Sequence, residues 1–150
     1  MPEFSTNHSL DKISFHAESI DFDLQQAEAI AFWLATVVNT ENKALQSLSF
    51  IFCNDEYLHQ LNVEYLQHDT LTDVITFPYS RPEEPIHGDI FISIDRVKEN
   101  AATFEKPFLN ELHRVMVHGT LHLAGFGDKT PEEIQVMRSK EDHYLTILKN

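Results

Sequence analysis

Residues 118–128 read His-Gly-Thr-Leu-His-Leu-Ala-Gly-Phe-Gly-Asp. On an α-helix His118 and His122 lie one turn apart on the same face, so their two imidazoles can grip one metal ion. Gly125 follows three residues later. Glycine ends a helix there by entering the left-handed C′ conformation without a Cβ penalty. The chain can then double back and carry Asp128 toward the same ion. Two His and one carboxylate form a ligand set of catalytic zinc, with a fourth position left for water. The chain has nine His, and chance supplies about half an i, i+4 His pair in such a sequence. The weight therefore rests on the glycine stop and the third donor at i+10, which reproduce the geometry of zincin-type sites. The position after His118 narrows the chemistry. A His-Glu-x-x-His zinc protease keeps its general base there, and Gly119 has no side chain, so a peptidase would need its base elsewhere.

The run resembles a known family. His118-Gly119-x-Leu121-His122-Leu123-x-Gly125-Phe126 is similar to the signature of the YbeY family, bacterial metal-dependent endoribonucleases of ribosomal RNA maturation. Upstream, Thr72-Asp73-Val74-Ile75-Thr76-Phe77-Pro78 resembles that family's Thr-Asp-Val-Leu-Ser-Phe-Pro segment. Leu61-Asn62 and Tyr65 precede it, and Gly88-Asp89-Ile90-x-Ile92 follows, all in the family's order over roughly residues 50–130. Two positions depart. The family usually has a third His where this chain has Asp128, and an arginine where it has Leu66. The first change keeps a ligand type but alters its charge; the second removes a cation.

The resemblance implies a zincin-like α+β fold and cleavage of single-stranded ribosomal RNA in maturation and quality control. It implies a small ribosomal subunit, with its associated proteins, as partner. In this reading His118, His122 and Asp128 hold one divalent transition metal, most simply Zn2+. Zinc can bring the pKa of bound water near ~7 and polarise a phosphoryl oxygen. The sugar's own 2′-hydroxyl is an alternative nucleophile, with the protein positioning and stabilising, and both routes stay open. An asparate ligand in place of neutral His lowers the net charge of the site and should raise the pKa of a bound water. Arg114, one turn before His118, is a candidate phosphate contact, and Glu111 can pair with it. Two other readings compete: a zinc hydrolase of the same fold with another substrate, and a non-catalytic ribosome-assembly factor with a structural metal.

Composition bounds these readings. A chain of 150 residues with 42% hydrophobic and 11% aromatic residues is of single-domain size and can bury a core. Cys53 is the one cysteine; it cannot form an internal disulfide, which suits a reducing cytoplasm, and it reads as a small core residue. The longest apolar stretch, Ala29 to Val38, is too short to span a bilayer. The net charge of −13 sits oddly with RNA binding, since phosphate contacts supply most of such affinity. The acid is uneven, however. Residues 1–95 hold three Lys/Arg against sixteen Asp/Glu, whereas residues 96–150 hold eight of each. The half that carries the motif is neutral, and a bound cation would add positive charge. Such a chain favours a partner that delivers the substrate.

The elements that must position these residues follow from periodicity. Residues 1–12 are polar and expected to be loose. A short strand is expected near Ser14–Ala17, then a helix over about Asp23–Thr40, with Ala27, Ile30, Ala31, Leu34 and Val38 at helical spacing. Ser47–Cys53 reads as a strand, and Asn54 as N-cap of a helix to about Leu66 with Leu58, Leu61, Tyr65 and Leu66 inward. Val74–Phe77 is a strand stopped by Pro78, Arg81–His87 a loop, Gly88 a strand-entry turn, and Asp89–Ile94 a strand. Asp95 is the expected cap of the next helix. Phe108–Ala124 is the motif helix, with Leu109, Leu112, Val115, Met116 and Leu123 inward. Thr130-Pro131-Glu132-Glu133 is a capping box with proline at the first helical position, opening a last helix. Asp73 reads as a turn residue, and His59, His68, His87 and His113 as surface or capping residues. The order β α β α β β α α α predicts a mixed, roughly four-stranded sheet with helices mainly on one side. Ser47–Cys53 and Val74–Phe77 are candidates for a parallel pair, the strands flanking the proline loop for an antiparallel one.

Overall fold

A computed structural model describes residues 11–149; the expectation for the N-terminal segment falls, but for Asp11 and Lys12, outside them. Apolar residues at alternate positions make the central strands. In β2 (Leu45–Cys53), Leu48, Phe50 and Phe52 face one side of the sheet and are fully buried. In β4 (Ile86–Ser93), Ile90 and Ile92 continue the same layer beside Phe50 and Phe52. Burial of each such side chain is worth about 1.5–3 kcal/mol. The outer strands are shorter: β1 (Ile13–Ala17) and β3 (Val74–Pro78).

The sheet order is β1-β2-β4-β3. Strand β2 is parallel to β1 and to β4, and β3 is antiparallel to β4. The expected antiparallel pair is present. The expected parallel pairing of β2 with β3 is not, because β4 inserts between them and leaves β3 at the edge.

Helices α1 (Ala27–Thr40), α3 (Ile94–Thr103), α4 (Phe108–Leu123) and α5 (Pro131–Lys149) share one apolar core with the inner sheet face. Helix α2 (Asp55–Leu66) covers the other face through Leu58, packed with Cys53 and Ile75. Among the described residues this is an α+β fold with helices mainly on one side. No helix among them is long and apolar enough to cross a membrane. Cys53 is the core residue expected: burial pushes its thiol up to about 12, which makes it inert as a nucleophile.

Several local expectations shift. Helix α1 begins at Ala27, not Asp23. Strand β4 begins at Ile86, so His87 and Gly88 lie inside it. Gly88 is therefore no strand-entry turn. A Cβ there would stand 2.8 Å from the Phe77 carbonyl oxygen and 3.0 Å from Leu123 Cδ1, so glycine lets α4 close onto the sheet. Ser93, not Asp95, caps α3, its hydroxyl accepting from the Arg96 N–H at 3.1 Å. Asp95 instead accepts from the Asp55 N–H at the start of α2. Tyr65, Leu66 and Leu109 are exposed rather than inward.

Candidate metal centre and cleft

Helix α4 is the platform. Leu112, Val115, Met116, Val117 and Leu121 bury its inner face, which turns His118 and His122 toward a cleft of about 1120 Å³ between α4, α5 and the segment entering β3. Gly119 is pressed onto the sheet. A Cβ there would stand 2.9 Å from Ile90 Cγ2. No side chain fits where a His-Glu-x-x-His protease holds its base, so the peptidase reading fails on packing as well as on sequence.

The helix stops as its glycine requires. Gly125 has φ +110°. Its N–H donates to the His122 carbonyl at 3.0 Å, and the Phe126 N–H donates to the Leu121 carbonyl at 3.1 Å, the paired bonds of a Schellman motif. The next helix opens with the expected capping box. The Glu133 N–H donates to Thr130 Oγ1 at 3.1 Å, and the Thr130 N–H to Glu133 Oε1 at 3.2 Å. These two fixed ends leave a short link that aims Asp128 back at α4. Asp128 Oδ2 lies 3.3 Å from His118 Nε2.

Each imidazole is held through its other nitrogen. His118 Nδ1 is 2.7 Å from Glu141 Oε2, and His122 Nδ1 is 3.2 Å from the Phe126 carbonyl oxygen. Both partners are acceptors, so both Nδ1 atoms donate and each Nε2 keeps its lone pair for a ligand. A neutral Nε2 facing a carboxylate oxygen at 3.3 Å is two acceptors in contact, which a proton on Nε2 or a bound metal cation reconciles. Burial pushes the His118 pKa down, but Glu141, Asp128 and Asp73 outweigh it and the net direction is up. The donor chemistry, two imidazole Nε2 atoms and a carboxylate with their outer partners set, fits a divalent transition metal. Among the described residues no three His, Cys, Asp or Glu side chains close around a point as they stand. His118 and Asp128 meet, and His122 lines the same cleft.

Arg114 also lines the cleft. Its Nη1 donates to Glu141 Oε1 at 2.8 Å and its Nη2 to Asp142 Oδ1 at 2.6 Å. Two of its five N–H donors are thus engaged with carboxylates of α5. Its partner is not Glu111, which is buried and whose pKa is pushed up by burial and then by nearby Asp73. Asp73 is also pushed up by burial, and its Oδ2 accepts from Asn100 Nδ2 at 3.5 Å. His113 is no surface residue. It packs edge-on to Trp33, and burial lowers its pKa. His59 pairs with Asp69 at 2.7 Å on the surface, and His68 lines the cleft.

Glu141 is the site residue that sequence reasoning missed. It is buried and bridges His118 and Arg114. Its only advance sign is position: on α5 it lies one turn after Met137, which faces the core.

A family model described as Endoribonuclease YbeY matches residues 12–149. Endoribonuclease YbeY of Flavobacterium psychrophilum is 50% identical over 135 residues, covering 90% of this chain and 95% of that protein. The Amoebophilus asiaticus protein of the same name is 48% identical, covering 89% and 90% of the two chains. The chain belongs to the YbeY family. The solution structure of TM1509 from Thermotoga maritima superposes with a TM-score of 0.65 at 26% identity, over 91% of this chain and 88% of that one. Within the YbeY family, metal dependence is general. Membership favours the endoribonuclease reading over a zinc hydrolase of the same fold with another substrate or a non-catalytic assembly factor.

Proposed function

We propose that this chain is a metal-dependent endoribonuclease acting on single-stranded ribosomal RNA during maturation. The metal is zinc, held by His118, His122 and Asp128, and the substrate is presented on the small ribosomal subunit in the cytoplasm. One observation carries the reading within the family: His118 offers Nε2 toward Asp128 at 3.3 Å while Glu141 holds its Nδ1. When bound, the metal supplies Lewis acidity toward a phosphoryl oxygen. The chain's own residues do the rest. Glu141 fixes the tautomer and plane of His118. The Phe126 carbonyl does the same for His122. Arg114 holds Glu141 in place and turns its remaining N–H groups to the cleft, where a phosphate can meet them. Burial pushes the Asp73 and Glu111 carboxyls on the cleft wall up from their ordinary range.

The test is elemental analysis of protein purified without added metal, together with cleavage of unpaired RNA before and after chelation. One zinc per chain and cleavage abolished by chelator are expected. His118→Ala and His122→Ala should lose both. Asp128→Asn should weaken metal retention, and Lys129→Ala should leave retention unchanged. Full occupancy in both His variants would overturn the ligand assignment.

A further inference from the structure

Scattered exposed apolar residues are ordinary on a protein surface, but a cluster of them around one opening marks a binding site. Eleven large hydrophobic residues are exposed among the described residues. Four of them, Leu66, Leu71, Phe104 and Ile134, line the cleft that holds the metal donors. They reach it from separate elements: Leu66 ends α2, Leu71 precedes β3, Phe104 caps α3 and Ile134 opens α5. Phe104 is 59% exposed and belongs to neither apolar cluster of the fold. Two exposed cations, Lys106 beside Phe104 and Arg138 one turn after Ile134, line the same cleft and make no ion pair among the described residues.

From this we infer a base-binding subsite: an unpaired RNA strand lays a base on Phe104, flanked by Leu66 and Leu71, while Arg138 and Lys106 take the adjacent phosphates. The inference rests on the function proposed above and names how that site holds its substrate. Aromatic faces stack bases of any identity, because every base presents a π-face. They can do so only where the base is free of its own stack and pair. An apolar rim therefore selects an unpaired strand, and the two cations add sequence-independent phosphate affinity. The charge balance favours a nucleic acid over an apolar protein segment. Of the four cations that line this opening, Lys106, Lys129 and Arg138 make no ion pair among the described residues, so it presents free positive charge in a chain whose net charge is −13.

The experiment measures binding of metal-loaded protein to a short, labelled 2′-O-methyl single strand, alone and with abasic residues at the central positions. Wild type should bind the base-bearing strand about tenfold more tightly, in line with stacking of one base. Phe104→Ala should remove that preference, and Phe104→Tyr should restore it. Since Phe104 is mostly solvent-exposed, its loss leaves the fold intact. Arg138→Gln should weaken both strands equally and lower the slope of log affinity against log salt by about one. The same proteins are assayed for chelator-sensitive cleavage of the matching RNA. If wild type cleaves but binds abasic and base-bearing strands alike, the subsite is refuted and the function stands. A base preference that Phe104→Ala abolishes, without any metal-dependent cleavage, refutes the function and keeps the subsite. Unchanged RNA binding in Phe104→Ala, as expected if a protein occupies the rim, also overturns the subsite.

Discussion

Glu141 shows how a residue outside the motif decides what the motif can do. It sits almost fully buried, with one oxygen on His118 and the other on Arg114. A buried carboxylate is costly unless both oxygens are answered by donors, and here each is. Its hydrogen bond makes His118 donate from Nδ1 and so points Nε2 at Asp128. It also raises the His118 pKa, so protons compete with metal at higher pH than for an ordinary imidazole. Glu141→Gln removes the charge and keeps the shape. Asp142 still holds Arg114, so the fold should survive. Outer partners of this kind are worth about 10–100-fold in metal affinity, and that loss is expected in alkaline buffer, where proton competition is weakest. Chelator competition monitored by metal release is the measurement, and wild-type affinity in Glu141→Gln would show that Glu141 is merely structural.

The motif helix also shows which parts of the fold were legible in the sequence. The span of α4, its glycine stop and the capping box of α5 are local, written in residues three to six apart, and all appear where expected. Local spacing points to Asp95 as the cap of α3, but a tertiary bond from the Asp55 N–H claims Asp95 and Ser93 takes the cap instead. Pro85 and Gly88 look like loop residues, so spacing alone makes β4 too short, and only the approach of α4 explains Gly88. Strand order depends on pairing partners distant in sequence, so the place of β4 beside β2 could not be read from spacing. Glu141 was hidden for the same reason, being 23 residues from His118. Gly119 is the element-scale test. Alanine is the better helix former by about 1 kcal/mol, yet its methyl would press on Ile90 at 2.9 Å. Overpacking of this kind costs about 1–3 kcal/mol. Gly119→Ala should therefore lower the midpoint of urea unfolding at unchanged m-value; a rise would mean that β4 yields and that this glycine is not set by packing.

At the scale of the molecule, charge and shape point in one direction. The acid is concentrated in residues 1–95, which supply the whole described sheet with α1 and α2, while residues 96–150 are neutral and carry α4, α5 and the cleft's Lys and Arg residues. A net charge of −13 repels a free polyanion at long range, most strongly at low salt where screening is weak. Leu66 adds apolar rather than cationic surface at the opening. An enzyme so built gains little from phosphate attraction and must take its binding energy from short-range contacts and from whatever presents the strand. Positioning by a carrier can replace much of that energy, because it converts an encounter into a local event. Precursor small-subunit RNA should accordingly be cleaved weakly when free and better when assembled in a small-subunit particle. The comparison uses wild type, His122→Ala and a chelator control at several salt concentrations. For free RNA, cleavage by this acidic protein should not show the steep loss with salt that a phosphate-driven nuclease shows. Fast cleavage of free strands, equal to that in particles, would refute dependence on a partner and place the missing affinity within the cleft itself.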